Sequence, residues 1–181
     1  MQDKEIIRQI QHGHKELLQD VIEKYYDEIL HFCMYQIKDT ADAYDLTQET
    51  FCRFIRCVDT YECRNLKGYL LTIARNLCMD YLRKNTVTES LSHTELTGDI
   101  SPQEKDAAIN QYNAYKQIED HMLLTDLLAE IPEEQRDVII LRYYHELKYT
   151  DIAKILDVKL STVKSRLRLG IINLQKRWDQ K

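Results

Sequence analysis

The sequence predicts an all-α protein built from two small helical domains joined by a flexible acidic linker. The 181 residues include four glycines and two prolines, too few for the frequent turns of a β protein. Apolar residues recur mostly at spacings of three and four, which is the period of amphipathic helices. With 44% apolar and 30% charged residues, the composition is that of a folded globular chain.

Two stretches of helical patterning define the domain organisation. The first covers residues 4 to about 85 and the second runs from about 105 to 178. Residues 86–106, TVTESLSHTELTGDISPQEKD, are polar and turn-rich, and acids outnumber bases throughout 86–119. We therefore predict domains at 1–86 and 120–181 with a linker at 87–119.

Charge and motif content restrict the function classes. The net charge of −5 argues against indiscriminate coating of nucleic acid, yet residues 159–181 are basic, with Asp179 as their single acid. No apolar run of about 18 residues occurs, and the N-terminus lacks the apolar core of a signal peptide, so we expect a cytoplasmic protein. No phosphate-binding glycine loop, metal-ligand cluster or nucleophile–base motif is found, which predicts a protein that is not an enzyme and has no cofactor.

The cysteines fit the same interpretation. None of them forms a Cys-x-x-Cys pair, and reduced, mostly packed thiols are expected in preference to a metal site or redox switch. The five residues are Cys33, Cys52, Cys57, Cys63 and Cys78.

The C-terminal domain contains the pattern of a helix-turn-helix. Ile131-Pro132-Glu133-Glu134 predicts a helix start with proline at the first helical position, and this helix should run to about Leu147. A short helix is predicted from Thr150 to Leu156, a turn at 157–159, and a longer helix from about Leu160.

The last helix separates an apolar from a polar face. The predicted buried face is Leu160, Val163, Leu167, Ile171 and Leu174. The outward side chains, small hydroxyls and one arginine, suit the major groove; they are Ser161, Thr162, Ser165 and Arg168. Lys164 and Arg166 flank them and suit phosphates, although a solvated surface helix can look the same. Leu169 and Ile172 also point toward the outward face and are interpreted as a protein contact.

The C-terminal motif TVKSRL, preceded by DIAKILDV and IPEEQRDVIILRYYHEL, resembles the promoter-reading region of bacterial RNA polymerase sigma factors. The resemblance implies contacts with the duplex −35 element. The residues implied are Ser161, Thr162, Lys164, Ser165, Arg166 and Arg168.

The N-terminal domain contains a second candidate surface on the predicted helix at 40–58. Its predicted buried face is Tyr44, Thr47, Phe51, Phe54, Ile55 and Val58. On the opposite face Leu46 stands among charged residues, as a docking side chain would. The stretch DLTQETFCRFI resembles the sigma segment that binds the clamp helices of the largest polymerase subunit. This resemblance implies docking by Asp45, Leu46, Gln48 and Glu49.

The next helix, LKGYLLTIARNLCMDYLRK, resembles the sigma region that melts the −10 element and captures its single strand. Tyr69 stands where the family usually has tryptophan, and it could be a stacking platform or part of the core. Arg75 is predicted to point outward. By resemblance the loop at 59–65 helps to hold an extruded base, with Tyr61 as the candidate contact. The residues implied at the −10 element are Tyr61, Asn65, Lys67, Arg75, Asn76, Arg83 and Lys84.

Because both resemblances occur in the order expected, the chain is identified as resembling the sigma-70 family. It begins almost directly with the first domain, which implies the extracytoplasmic-function subfamily. Such a protein binds core RNA polymerase and promoter DNA and often an anti-sigma factor, which we expect here, with no small-molecule substrate. The alternatives are a stand-alone helix-turn-helix regulator and a helical adaptor that binds only proteins; the adaptor leaves the basic C-terminal segment unexplained.

Overall fold

The computed structural model describes residues 2–37, 39–62, 65–88 and 124–179. Throughout these residues the chain forms helices joined by short turns, and no strand occurs among them. The prediction of an all-α fold is therefore confirmed. The predicted linker, 87–119, lies outside the described residues apart from the end of the helix that reaches Thr88.

The N-terminal half, the described residues before 89, contains four α-helices and two short 3-10 turns. In chain order they are α1 (Asp3–Gln11), a turn (Lys15–Leu17), α2 (Leu18–Gln36), α3 (Thr40–Cys57), a turn (Val58–Thr60) and α4 (Leu66–Thr88).

Packing of α2, α3 and α4 against one another forms the core of this half. Ile29, Phe32, Phe54 and Leu70 are completely buried there. The start of α3 is capped by Asp39, whose carboxylate accepts the backbone N–H of residue 42 at 3.0 Å.

The C-terminal half, the described residues after 123, contains the predicted helix-turn-helix. In chain order its elements are α5 (124–129), α6 (Glu133–Ile139), a π-helical turn (Ile140–Tyr144), α7 (Tyr149–Ile155) and α8 (Leu160–Trp178).

Helix α6 differs from its prediction at both ends. Pro132 is extended (φ −53°, ψ 137°) and stands before the first helical residue, while its carbonyl accepts the N–H groups of Gln135 and Arg136. Proline therefore caps α6 and does not occupy its first position. The helix was also predicted to continue to Leu147, but regular α-helical bonding ends at Ile139, where the wider π-helical turn begins.

Three side chains that were predicted to be buried are exposed. Leu160 is 41% exposed because it is the first residue of α8. Tyr44 and Ile55 are 42% and 39% exposed. At 100° per residue the buried residues of α3, from Ala43 to Phe54, cover an arc that ends just before these two positions, so both lie at its edge.

The two halves contact each other through several elements. Helix α4 packs against α7, and the turn that follows the π-helical segment lies on α2. His145 in that turn is 3% exposed, with its ring centroid 5.8 Å from that of Phe32. No described helix has the length and apolarity to cross a membrane.

Candidate nucleic-acid interface

A tight turn holds the two helices of the helix-turn-helix at a fixed angle. After α7 the N–H of Val158 donates to the carbonyl of Ala153 at 3.0 Å, and the N–H of Asp157 donates to that of Lys154 at 3.4 Å. These two bonds form a Schellman motif, which requires a left-handed residue at its end. Asp157 occupies that position with φ +51°, and aspartate tolerates it better than most residues do.

Helix α8 presents one polar face to solvent. Val163 and Leu167 anchor the helix in the core at 0% and 5% exposure. Of the six residues predicted to contact duplex DNA, four are exposed: Ser161, Lys164, Ser165 and Arg168. Thr162 is half-buried.

Arg166 is placed differently from the other predicted duplex contacts. Its guanidinium lies 2.8 Å from the Glu134 carboxylate of α6, and its side chain is 20% exposed. It therefore joins α6 to α8 in this arrangement. Leu169, interpreted from the sequence as a protein contact, is 50% exposed, whereas Ile172 is half-buried.

Helix α6 and helix α8 approach closely at Gly170. A Cβ added there would lie 2.9 Å from the Cδ1 of Ile139 and 3.1 Å from the Cβ of Gln135. Beside it, the amide of Asn173 donates to the Gln135 side chain at 2.8 Å. The absence of a side chain at Gly170 thus sets how α8 sits on α6.

The predicted docking residues lie together on α3. Asp45 and Gln48 are exposed, whereas Leu46 is half-buried and packs against the core. Glu49 lies 2.9 Å from the Nε of Arg53 one turn later. This face combines carboxylates with an apolar side chain, which suits a basic, partly apolar protein surface.

The predicted base-contact loop is held by its neighbours. The amide of Gln11 donates to the carbonyls of Val58 and Tyr61 at 2.8 and 2.9 Å. The Tyr61 ring stacks on that of Tyr69, with centroids 4.5 Å apart, and meets Phe54 edge-on. Tyr69 is half-buried, so it is both part of the packing and the platform beneath Tyr61.

The remaining −10 candidates fall into two groups. Asn76, Arg83 and Lys84 are exposed on α4, and exposed Asn65 caps that helix by accepting the N–H of Gly68 at 3.0 Å. The other two, Lys67 and Arg75, are half-buried.

Lys67 and Arg75 form ion pairs with buried or half-buried carboxylates. Lys67 lies 2.6 Å from Glu28 and is 27% exposed. Arg75 was predicted to point outward, but it is 18% exposed because Asp137 packs over it, 2.6 Å from its Nε. Sequence patterns did not single out Asp137.

The described cysteines divide evenly between core and surface. Cys33 and Cys78 are buried, whereas Cys52 and Cys57 are exposed on α3; Cys63 lies outside the described residues. In the part of the chain that the structure describes, no group of three His, Cys, Asp or Glu side chains could hold a metal ion.

Comparisons with known proteins agree with this arrangement. Residues 21–88 match the family model "Sigma-70 region 2" and residues 121–174 match "Sigma-70, region 4". The ECF RNA polymerase sigma factor SigW of Bacillus subtilis (strain 168) is 27% identical over 97% of this chain and 96% of its own length. SigM of the same organism is 27% identical over 83% of this chain and 88% of its own length.

Two solved structures share the fold. CnrH in complex with the cytosolic domain of CnrY has a TM-score of 0.75 at 15% identity, covering 99% of this chain and 98% of that one. The sigma factor RpoE in complex with the anti-sigma factor NepR from Bartonella quintana has a TM-score of 0.67 at 23% identity, covering 87% and 94%.

The fold and the exposed face of α8 define a two-part helical protein with a helix-turn-helix at its C-terminal end. Both family models fall in the order in which the helices occur. The chain belongs to the sigma-70 family, within its extracytoplasmic-function (ECF) group.

Proposed function

We propose that this chain is a transcription initiation factor that binds core RNA polymerase and directs it to specific promoters. The observation that carries the proposal is the occurrence of sigma regions 2 and 4 in one chain, each with an exposed polar face. The working units are residues 1–86 for polymerase docking and the −10 element, 87–119 as linker, and 120–181 for the −35 element.

Helix α8 reads the duplex in this proposal. Ser161, Ser165 and Arg168 project from its exposed face, where hydroxyl and guanidinium groups can bond base edges in the major groove. Exposed Lys164 contacts phosphate, which fixes the position of the helix on the duplex without reading sequence. Thr162 and Arg166 also contact the duplex once their side chains have moved. Arg166 does so by breaking its ion pair with Glu134.

Helix α4 and the loop before it capture the single strand of the −10 element. Extrusion of a base from the stack costs a few kcal/mol. The stacked Tyr61 and Tyr69 rings offer an aromatic surface, and stacking of one base on such a surface returns about 1 to 3 kcal/mol. Asn65, Asn76, Arg83 and Lys84 contact the strand from exposed positions, joined by Lys67 and Arg75 once these are released.

Helix α3 docks on the clamp helices of the largest polymerase subunit through Asp45, Leu46, Gln48 and Glu49. The chain supplies recognition, and the polymerase supplies the chemistry in the cytoplasm, without a cofactor or small-molecule substrate from this chain. The RpoE structure contains the anti-sigma factor NepR. By analogy we infer that an anti-sigma factor also binds this chain.

Run-off transcription tests the proposal. Purified core polymerase is assayed on promoter-bearing genomic fragments with and without the protein. Defined transcripts are expected with the wild type, and their loss is expected with Asp45→Lys or Leu46→Asp. Ile55→Asp is the matched control, since Ile55 is an exposed apolar residue on the side of α3 opposite Leu46. Circular dichroism verifies that each variant is folded.

The opposite result would favour the alternative. If no transcript appears while the protein alone shifts duplex DNA as a dimer, the protein is a stand-alone helix-turn-helix regulator.

A further inference from the structure

The loop between α3 and α4 receives two hydrogen bonds from the end of α1. The side-chain amide of Gln11, the last residue of α1, donates to the carbonyls of Val58 and Tyr61 at 2.8 and 2.9 Å. These partners stand 47 and 50 residues later in the chain. An amide nitrogen has two N–H donors, so a single side chain can join both carbonyls. These two bonds are called the Gln11 bridge below.

The bridge holds a tight turn in one conformation. The N–H of Tyr61 also donates to the Val58 carbonyl, at 3.3 Å, and the Val58 side chain is completely buried. The backbone at Tyr61 is extended, with φ −73° and ψ 121°. Because the bridge fixes the carbonyls at both ends of the turn, it also fixes the direction in which the Tyr61 side chain leaves the backbone.

That direction determines where the aromatic ring lies. The Tyr61 ring stacks on Tyr69, with centroids 4.5 Å and planes 24° apart, and meets the completely buried Phe54 edge-on. Tyr61 is half-buried, so part of its ring faces solvent. A base stacks well only on a ring that already has the right position and tilt. The position of Tyr61 therefore decides how well this loop can hold an extruded base.

Helix α1 is a firm support for the bridge. Three isoleucines fix the helix in the core at 6% exposure or less, and they are Ile6, Ile7 and Ile10. At the other end of the helix, the Asp3 carboxylate accepts the hydroxyl of Tyr25 on α2 at 2.6 Å. These contacts are independent of Gln11. Loss of the bridge should therefore release the turn and leave α1 in place.

A second contact between the same two segments adds less. The Nζ of Lys15 lies 2.5 Å from the Asp59 carboxylate, but the two side chains are 49% and 64% exposed. Exposed ion pairs contribute little, because water and salt screen them. The half-buried amide of Gln11 is thus the main restraint that α1 places on the turn.

A turn that is already ordered favours binding. A loop held in its bound conformation loses little further entropy when its ligand arrives. Without the bridge, the free energy gained by stacking a base on Tyr61 is partly offset by the cost of ordering the turn.

We propose that Gln11 is a positioning residue for base capture: from α1, its amide holds the turn at 58–61 so that the Tyr61 ring is ready to stack on the base extruded from the −10 element. This proposal rests on the proposed function for the assignment of Tyr61 to the −10 strand.

Binding of single-stranded DNA to the holoenzyme tests this role. Core polymerase is assembled with each variant, and fluorescence anisotropy measures its affinity for oligonucleotides carrying the nontemplate −10 sequence found by transcript mapping. One oligonucleotide is intact, and each of the others lacks a single base at a successive position. The position at which base loss weakens wild-type binding most is the captured base.

Two test variants remove the bridge in different ways. Gln11→Met keeps the length of the side chain and removes both donors, whereas Gln11→Glu keeps its shape and faces the carbonyls with a carboxylate. Gln19→Met is the matched control, since the exposed amide of Gln19 donates to Glu23 of its own helix at 2.7 Å. Unchanged affinity for core polymerase verifies that each variant is folded.

The expected effect is confined to the captured base. Both test variants should bind the intact oligonucleotide roughly tenfold more weakly than the wild type, which corresponds to the loss of one or two hydrogen bonds. Their affinity for the oligonucleotide that lacks the captured base should equal that of the wild type. In a Tyr61→Ala background, Gln11→Met should have almost no effect, because Gln11 acts through the Tyr61 ring.

Other results would overturn the positioning role. An equal loss of affinity for the intact and the base-lacking oligonucleotide would show that Gln11 supports the fold as a whole, and unchanged affinity for both would show that the turn holds itself. A wild type that is insensitive to base loss at every position would instead refute base capture by this loop, and the role of Gln11 with it. Polymerase docking remains a separate measurement through Asp45→Lys.

Discussion

A methyl group added at Gly170 tests how closely α6 and α8 are packed. In an isolated helix, glycine to alanine stabilises by about 1 kcal/mol, because glycine loses more backbone entropy on folding. Here the new Cβ would lie 2.9 Å from Ile139 Cδ1, 3.1 Å from Gln135 Cβ and 3.4 Å from the Gln135 carbonyl oxygen. The first atom ends a side chain that can rotate, but the other two are fixed to the backbone of α6.

The steric cost of the added Cβ should exceed the stability that alanine gains over glycine within a helix. Overpacking of a filled interior costs about 1 to 3 kcal/mol. We therefore expect Gly170→Ala to lower the free energy of unfolding by about 1 kcal/mol net. Gly170→Val should lower it further, because its two additional methyl groups meet the same atoms.

Urea unfolding followed by circular dichroism measures the effect. Gln175→Ala, at an exposed position of α8, is the control and should change stability by less than about 0.5 kcal/mol. A gain of about 1 kcal/mol for Gly170→Ala, as in a solvated helix, would show that α6 and α8 have room between them and would refute the reasoning.

Three further predictions concern the turn between α7 and α8, the contact of His145 with the N-terminal half, and the DNA-reading helix α8. Asp157→Gly should raise the urea midpoint, with a gain of about 1 kcal/mol, because glycine adopts the left-handed conformation without strain. Burial lowers the pKa of His145 from 6.5 to about 3, so the unfolded chain takes up a proton first as the pH falls. Stability should therefore decline below pH 6.5 toward pH 3, by at most about 1.4 kcal/mol per unit, and the unfolding free energy of His145→Gln should decline less steeply. Arg168→Ala should reduce run-off transcription from promoters that depend on the −35 element. Unchanged transcription from these promoters would show that Arg168 does not contact the DNA.

The local features of the fold could be predicted from the sequence. The helices predicted at Thr150–Leu156 and from Leu160 agree within one residue with α7 and α8. Such helices can be predicted because the spacing of apolar residues and the residues of a turn are both local properties of the sequence. The interiors of helices were easier to predict than their ends. The π-helical turn after Ile139, for example, has no hydrophobic period that distinguishes it from the α-helix before it.

The candidate surfaces were predictable only where they depend on a single helix. The exposed side chains of α8 follow from its own periodicity. The pairing of Arg75 with Asp137 joins positions 62 residues apart, and no local pattern specifies a partner at that distance. The burial of Asp137 was equally hidden, because it directly follows the polar residues Glu133 to Arg136 and therefore resembles part of the exposed start of the helix.

The separation of these partners along the chain also affects biosynthesis. Arg75 leaves the ribosome 62 residues ahead of Asp137. At about 5 to 20 residues per second, the arginine is synthesised roughly 3 to 12 s before its carboxylate partner. During that interval Arg75 of the nascent N-terminal half is not yet paired with Asp137, so any early ligand meets it before α6 can.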